Sequence, residues 1–406
     1  MTAVRLEKTF GIALSGSSWK GEKVMNNLMK YVLRAGLAMV LLASPAAAQS
    51  NESIQDGGKP AVVLFSATPL MDLGTETYKG FEGGLYTGGS DVISAIHAAD
   101  GSRFASQIQP LDADGNPDPD GKIGFTSLGM SNAYDEFMDF IPTAKENKNV
   151  NSKTLVLVNG ALPNATACYW TVAEGTPPCP VSLENEYDRV RDTVLTPAGL
   201  TEKQVQVVWI KDANPNPGLN GACGTKPCSA LCNPTTVGCV NAANTTEAIR
   251  YEQQLGEILR AAAVRWPNLK LAFIASRIYA GYATVTLNPE PYAYEYGFSS
   301  KWLIQAQITQ MQTSVVDPIA GNLDYNTHTA PWVAWGVYIW ADGPIPRSDG
   351  LIWCDGAKTA PCLGEVDFQA IDGTHPNMTG ANKVVNILMT FFLNSPYTES
   401  WFDAAP

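Results

Sequence analysis

Short apolar runs alternate with segments of helical periodicity from about residue 121 onward. Strands are predicted where four to seven mostly apolar residues follow one another, at 122–126, 154–158, 205–210 and 269–275. Helices are predicted from amphipathic spacing and from polar residues at the starts, at 131–140, 243–265, 299–313 and about 379–394. Strands alternating with helices are typical of a parallel sheet covered on both faces. The predicted fold is therefore α/β, a three-layer α/β/α sandwich with a parallel sheet.

The region before this pattern is different. Residues 49–120 are rich in Gly, Asp and Pro and contain one short apolar run, at 61–65. This composition predicts an irregular N-terminal extension with a few strands, packed on a main domain at 121–406.

Residues 1–48 have the features of a leader. A short positive segment from Met25 to Arg34 precedes the apolar run 35–42, and small residues end at Ala48. This is typical of a secretory signal peptide at about 25–48, cleaved after Ala48, and residues 1–24 are unlike any part of one. We expect an exported protein, periplasmic or extracellular, that starts at Met25. The apolar run is too short for stable membrane insertion.

Composition narrows the possible functions. Apolar residues make up 45% of the 406 positions and charged residues 16%, which indicates a folded globular chain. The formal charge is −12, so no basic surface is expected to neutralise phosphates. Nucleic acid is thereby excluded as a partner, and the oligomeric state is not predicted.

All eight cysteines follow the leader, and their even number favours local disulfides in an oxidising compartment. Cys168 and Cys179 flank one Pro-rich segment, and Cys354 and Cys362 are similarly close. Four more crowd into one loop, Cys223, Cys228, Cys232 and Cys239. A zinc site is the alternative for these four, and their pairing stays open.

One of the three histidines stands in a promising context. His375 follows Asp372 by three residues across a glycine, in Asp-Gly-Thr-His-Pro. Such a turn can bring the carboxylate to the imidazole, where it fixes the tautomer and stabilises the imidazolium. The alternative is that Asp372 caps the closing helix and His375 is a surface residue.

A nucleophile for this pair has to come from elsewhere in the chain. Ser131, in Gly129-Met-Ser-Asn132, lies at a predicted strand-to-helix junction, where its N–H can bind an oxyanion. The alternative is a serine that only caps the helix.

These motifs together resemble the SGNH/GDSL hydrolases, and much of the chain resembles a group of exported bacterial SGNH-like proteins. The resemblance implies Ser131 as nucleophile, His375 as base, Asp372 as the residue that orients it, and no metal or cofactor. It also implies an oxyanion hole of the Ser131 N–H, a glycine N–H and an asparagine side chain. Gly160 or the backbone of Asn164 is expected to fill the second place and Asn214 the third. The chain departs from the family by having Met130 before the serine and Lys211-Asp-Ala-Asn214 in the third block.

Substrate contacts are predicted in two segments rich in aromatic residues. The candidates are Arg277, Tyr279, Tyr282, Glu295 and Trp335, since aromatic faces can stack on sugars or acyl groups. The alternative for most of the rings is burial in the core. The expected function is hydrolysis of a small-molecule or carbohydrate ester, with O-acetyl removal preferred. A non-catalytic carbohydrate-binding protein or a structural envelope protein on the same fold remains the alternative.

Overall fold

The computed structural model describes residues 65–179, 184–215, 242–285 and 287–404. The predicted leader and the four-cysteine loop lie outside these residues. The described residues all belong to one compact unit, Val63–Pro406. In chain order its elements are α1 (Leu70–Leu73), β1 (Thr77–Tyr78), β2 (Phe81–Glu82), α2 (Ala95–Ala105), β3 (Ile123–Gly129), α3 (Ser131–Glu146), β4 (Leu155–Val158), α4 (Glu186–Arg189, continued by a π-helical turn Val190–Leu195), β5 (Val205–Lys211), α5 (Ala242–Arg265), β6 (Leu271–Ala275), α6 (Tyr292–Thr313), β7 (Trp332–Val337), α7 (Met378–Asn394) and α8 (Glu399–Phe402).

Five of the strands form one parallel sheet in the order β4-β3-β5-β6-β7. Strands β3, β5, β6 and β7 are buried along their whole length, which explains why their sequences are almost continuously apolar. The order reverses at β3, because the chain first adds β4 on one side and then β5 on the other. In such sheets, ligand sites lie outside the carboxyl ends of the strands at this point.

Helices flank the sheet in packed pairs. Helices α3 and α7 contact each other, and α5 and α6 contact each other, with Tyr251 stacked on Tyr296 at 4.3 Å between ring centroids. Phe125 of β3 lies 5.4 Å from Phe137 of α3 and 5.0 Å from Phe392 of α7. The α/β class and the parallel sheet flanked by helices are confirmed, and the arrangement is compatible with a three-layer sandwich.

Several element bounds differ from the prediction. Helix α6 begins at Tyr292, seven residues before the predicted start, and β7 was not predicted as a strand. Helix α2 lies in the segment that was expected to be irregular. It packs on β7 through Gly101, where a Cβ atom would lie 2.4 Å from the Trp332 ring, so this position in the helix has to be glycine.

Two local disulfides lie within the described ranges, Cys168–Cys179 and Cys354–Cys362, as expected from their spacing. Among the described residues, no helix is both long and apolar enough to cross a membrane.

Candidate active site

Strand β3 delivers Ser131 to the carboxyl edge of the sheet through a turn that requires glycine. Gly129, the last residue of β3, has φ +137°, and a Cβ atom there would lie 1.9 Å from the carbonyl oxygen of Lys211 on β5. No side chain fits that space. Met130 occupies the N-cap position of α3 and Ser131 is its first residue. The hydroxyl of Ser131 is therefore not used as a helix cap.

At this edge Ser131 meets Asp372 and His375, which lie far away in the sequence. The Oγ of Ser131 lies 2.6 Å from Nε2 of His375, and Nδ1 of His375 lies 2.6 Å from Oδ2 of Asp372. An ionised carboxylate only accepts hydrogen bonds, so Nδ1 carries the proton and Nε2 accepts from the serine. His375 is 12% exposed and Asp372 only 4%, which leaves the imidazole open to a substrate while the carboxylate is shielded.

The turn that holds Asp372 also keeps it ionised. Its Oδ1 accepts the backbone N–H groups of Thr374 at 2.9 Å and His375 at 3.0 Å. Burial alone would raise the pKa of Asp372, but these bonds and the one from the imidazole outweigh it and hold the pKa below its ordinary value. The carboxylate is thus available to orient His375 and to stabilise an imidazolium.

Helix α7 does not use Asp372 as its cap. The side chain of Asn377 caps the helix by accepting from the N–H groups of Thr379 and Gly380. The alternative in which Asp372 serves only to cap the closing helix is therefore wrong. Pro376 directly precedes the N-cap residue Asn377, and the helix begins at Met378.

The loop that carries His375 is fixed from two sides. The side-chain amide of Asn132 donates to the carbonyl oxygen of Thr374 at 3.0 Å, which joins α3 to the loop. On the other side, the Thr284 N–H donates to the carbonyl oxygen of Asp372 at 2.8 Å. Gly373 has φ +63°, and a Cβ there would lie 2.1 Å from the Tyr282 carbonyl oxygen. The serine and histidine are thus held in register by their immediate neighbours in sequence.

The Cys354–Cys362 disulfide lies beside the same loop. Cys354 exchanges hydrogen bonds with Asp367, and the backbone carbonyl of Asp367 accepts the N–H of Asn377. Cys354, Glu365 and Asp367 lie close enough together to resemble a metal site. Cys354 is in a disulfide, however, and Lys383 pairs with both carboxylates, so these groups serve structure.

The predicted oxyanion residues are only partly assembled. Ser131 opens α3, whose first N–H groups have no intrahelical acceptor. Gly160 lies in the loop after β4, where the neighbouring Ala161 N–H donates to Ser127 Oγ at 3.3 Å. Asn164 is exposed with φ 72°.

Asn214 is buried, and its side-chain amide donates at 2.7 Å to Gln254 of α5. One of the two amide hydrogens of Asn214 is therefore directed at α5, and this bond fixes the orientation of the side chain.

Most of the predicted substrate contacts are buried and bonded within the protein. The Tyr279 hydroxyl donates to Phe65 O at 3.2 Å and that of Tyr282 to Trp353 O at 3.0 Å. Glu295 pairs with Lys79 at 2.7 Å, and the Trp335 indole N–H donates to Leu85 O at 2.9 Å. The contacts of Tyr279, Glu295 and Trp335 join the main sheet region to the N-terminal segment, and none of the four supports sugar stacking. Arg277 is also buried, and it contacts Met130 and Thr374, which directly precede Ser131 and His375 in the chain.

Sequence reasoning missed the polar groups behind the triad. Asn132 follows Ser131 and Thr374 precedes His375 in the chain, and both are buried. Their polarity beside the two candidate catalytic residues was the only signal in the sequence. Lys211 of β5 and Glu136 of α3 form a fully buried ion pair beneath them. Burial lowers the pKa of Lys211 to about 8, against the opposing effect of Glu136.

Comparison of the chain with known protein families, with curated proteins and with solved structures finds no match in any of the three.

Proposed function

We propose that this protein is a serine ester hydrolase of the SGNH/GDSL type that acts through an acyl-enzyme. The observation that carries the proposal is the continuous hydrogen-bonded chain from Ser131 Oγ through His375 to Asp372, with both bonds at 2.6 Å. A helix-capping serine and a surface histidine give no reason for these contacts. These three side chains lie outside the carboxyl ends of the strands, where such folds bind ligands, and this position also supports the proposal.

The reaction follows from these roles. Ser131 Oγ attacks the ester carbonyl carbon while Nε2 of His375 takes its proton, and the carbonyl oxygen becomes an oxyanion. The intermediate collapses when the ester C–O bond breaks, and the imidazolium returns the proton to the leaving alcohol. Water then attacks the acyl-enzyme with His375 as base, which releases the carboxylic acid and restores Ser131. Asp372 stays ionised throughout and keeps the proton on Nδ1. We propose that the N–H groups of Ser131 and Gly160 contribute to the oxyanion hole.

The proposed substrate is an acyl ester. The narrower preference for O-acetyl groups of a carbohydrate rests on the family resemblance, since the aromatic residues that favoured it bond within the protein.

The test is a chromogenic short-chain ester assay on the purified protein. Ser131→Ala and His375→Ala are expected to lower kcat by at least about 10³-fold. Ser102→Ala and His328→Ala are matched controls, since both residues are exposed and lie outside the site, and should behave as the wild type. A Ser131→Ala variant with full activity would refute the nucleophile. A folded protein that hydrolyses no ester but binds sugar would favour the non-catalytic alternative.

A further inference from the structure

Arg277 lies directly behind the serine and the histidine. It follows β6 by two residues and is 2% exposed. Its Nη1 is 3.9 Å from the sulfur of Met130, and its Nη2 donates to Thr374 Oγ1 at 3.4 Å. Met130 precedes Ser131 in the chain and Thr374 precedes His375. One guanidinium therefore contacts the residues immediately before both reactive side chains.

The charge of this guanidinium is not balanced by a partner. Among the residues that the structure describes, no carboxylate lies within ion-pair distance of Arg277, and its Nε has no hydrogen-bond acceptor. Glu136 already pairs with Lys211. Glu290 accepts three hydrogen bonds from other groups, at 2.7 to 3.0 Å. The nearest acids are thus committed elsewhere.

The ionisation of two neighbouring acids strengthens this point. Burial raises the pKa of Glu290 to about 7, although its hydrogen bonds oppose the rise. Burial also raises the pKa of Asp212 well above its ordinary value, which favours the neutral form of its carboxyl group. An arginine side chain stays charged in proteins. The Arg277 guanidinium is therefore a buried cation behind Ser131 that forms no ion pair with a carboxylate among the described residues.

Burying an unpaired charge is unfavourable, and such groups are found where they do chemistry. In the proposed reaction, attack by Ser131 gives the carbonyl oxygen of the substrate a negative charge beside this guanidinium. A fixed cation in a region that excludes water stabilises such an anion more strongly than it would in bulk solvent.

We propose that Arg277 is a positioning residue of this site, which ties the start of α3 to the Asp372–His375 loop and places a buried positive charge beside the oxyanion formed at Ser131. The inference rests on the proposed ester hydrolysis.

The experiment compares Arg277→Met and Arg277→Lys with the wild type in the short-chain ester assay. Arg277→Met is expected to lower kcat by about 100-fold with KM changed by less than about 3-fold, since the charge acts on an oxyanion that forms only after the substrate has bound. Arg277→Lys keeps the charge and is expected to recover about tenfold of that loss. An aryl boronic acid, which becomes a tetrahedral anion on the serine, should bind Arg277→Met more weakly by a factor similar to the loss in kcat.

Arg265→Met is the matched control. Arg265 is also a buried arginine, but it ends α5, which leads to the amino end of β6, the edge opposite Ser131. It pairs with Glu202 and Asp188, so its loss should lower the melting temperature and leave kcat unchanged. If Arg277→Met and Arg265→Met lower activity only in proportion to lost folded protein, Arg277 is merely structural and the inference is overturned. An active wild type with unchanged kcat in Arg277→Met overturns this inference alone. A folded wild type without ester activity overturns the proposed function together with it.

Discussion

Replacing Asp372 by Asn tests how the carboxylate acts on His375. In the wild type, Oδ1 accepts two backbone N–H groups and Oδ2 accepts the Nδ1–H of His375. In Asp372→Asn, the amide oxygen is expected to keep the two backbone bonds, because the opposite orientation would set the NH₂ group against two N–H donors and forfeit about 1 kcal/mol for each bond. The NH₂ group then faces Nδ1 and donates to it.

This forces the imidazole into the other tautomer. With Nδ1 as acceptor, the proton moves to Nε2, which lies 2.6 Å from Ser131 Oγ and can no longer accept the serine proton. On the proposed mechanism kcat should fall by about 10⁴-fold, the loss that this substitution causes in a characterised serine triad, which corresponds to about 5 kcal/mol of activation free energy. The side chain keeps its size and two of its bonds, so the free energy of unfolding should change by only about 1 kcal/mol.

The measurement is kcat on a short-chain chromogenic ester together with urea unfolding followed by circular dichroism. Asp355→Asn, at an exposed position near the Cys354–Cys362 loop, is the control and should retain full activity. A folded Asp372→Asn protein with kcat within tenfold of the wild type would refute the tautomer argument.

Three further perturbations probe the surroundings of the site. Asn132→Leu removes the donor to Thr374 O and leaves a buried carbonyl unpaired. As a result, kcat should fall by at least about tenfold and the free energy of unfolding by about 1–3 kcal/mol. Unchanged kinetics would show that the loop does not need this bond to α3. Lys211→Met strands the buried Glu136, so urea unfolding should show a loss of about 3–5 kcal/mol, and a neutral result would contradict the ion pair. His97 is buried, which lowers its pKa from 6.5 to about 4. The unfolded chain takes up a proton near pH 6.5 and the folded chain only near pH 4, so His97 should cost the wild type about 3 kcal/mol of stability as the pH falls through this window. His97→Gln should lack this loss, and parallel pH profiles of the two proteins would disprove the assignment.

Part of this fold was predictable because a strand that is covered on both faces of the sheet appears in the sequence as a short, continuous apolar run. Strands β4 and β5 are short apolar runs, and the amphipathic pattern of α5 and α7 is long enough to be distinctive. Strand β7 was missed because its two tryptophans suggested a binding cleft. Their indole N–H groups find carbonyl acceptors at His97 and Leu85 inside the protein, a pairing that depends on the tertiary fold.

The candidate triad was predictable for a different reason. The Asp372–His375 spacing is local, and Ser131 sits at a junction that strand and helix patterns define. The placement of Arg277 between Met130 and Thr374, and the hydrogen bond from Asn214 to Gln254, depend on contacts between five separate segments. No spacing along the chain encodes these contacts, which is why the oxyanion donors could not be assigned from sequence.

The central claim is that Ser131 is a nucleophile activated by His375, and covalent labelling tests it most directly. The protein is treated with a fluorophosphonate, digested and analysed by mass spectrometry. The account predicts a single phosphonylated peptide that carries Ser131, lost in Ser131→Ala and formed much more slowly in His375→Ala. An unmodified Ser131 in folded protein, or equal labelling in the His375→Ala variant, would contradict it.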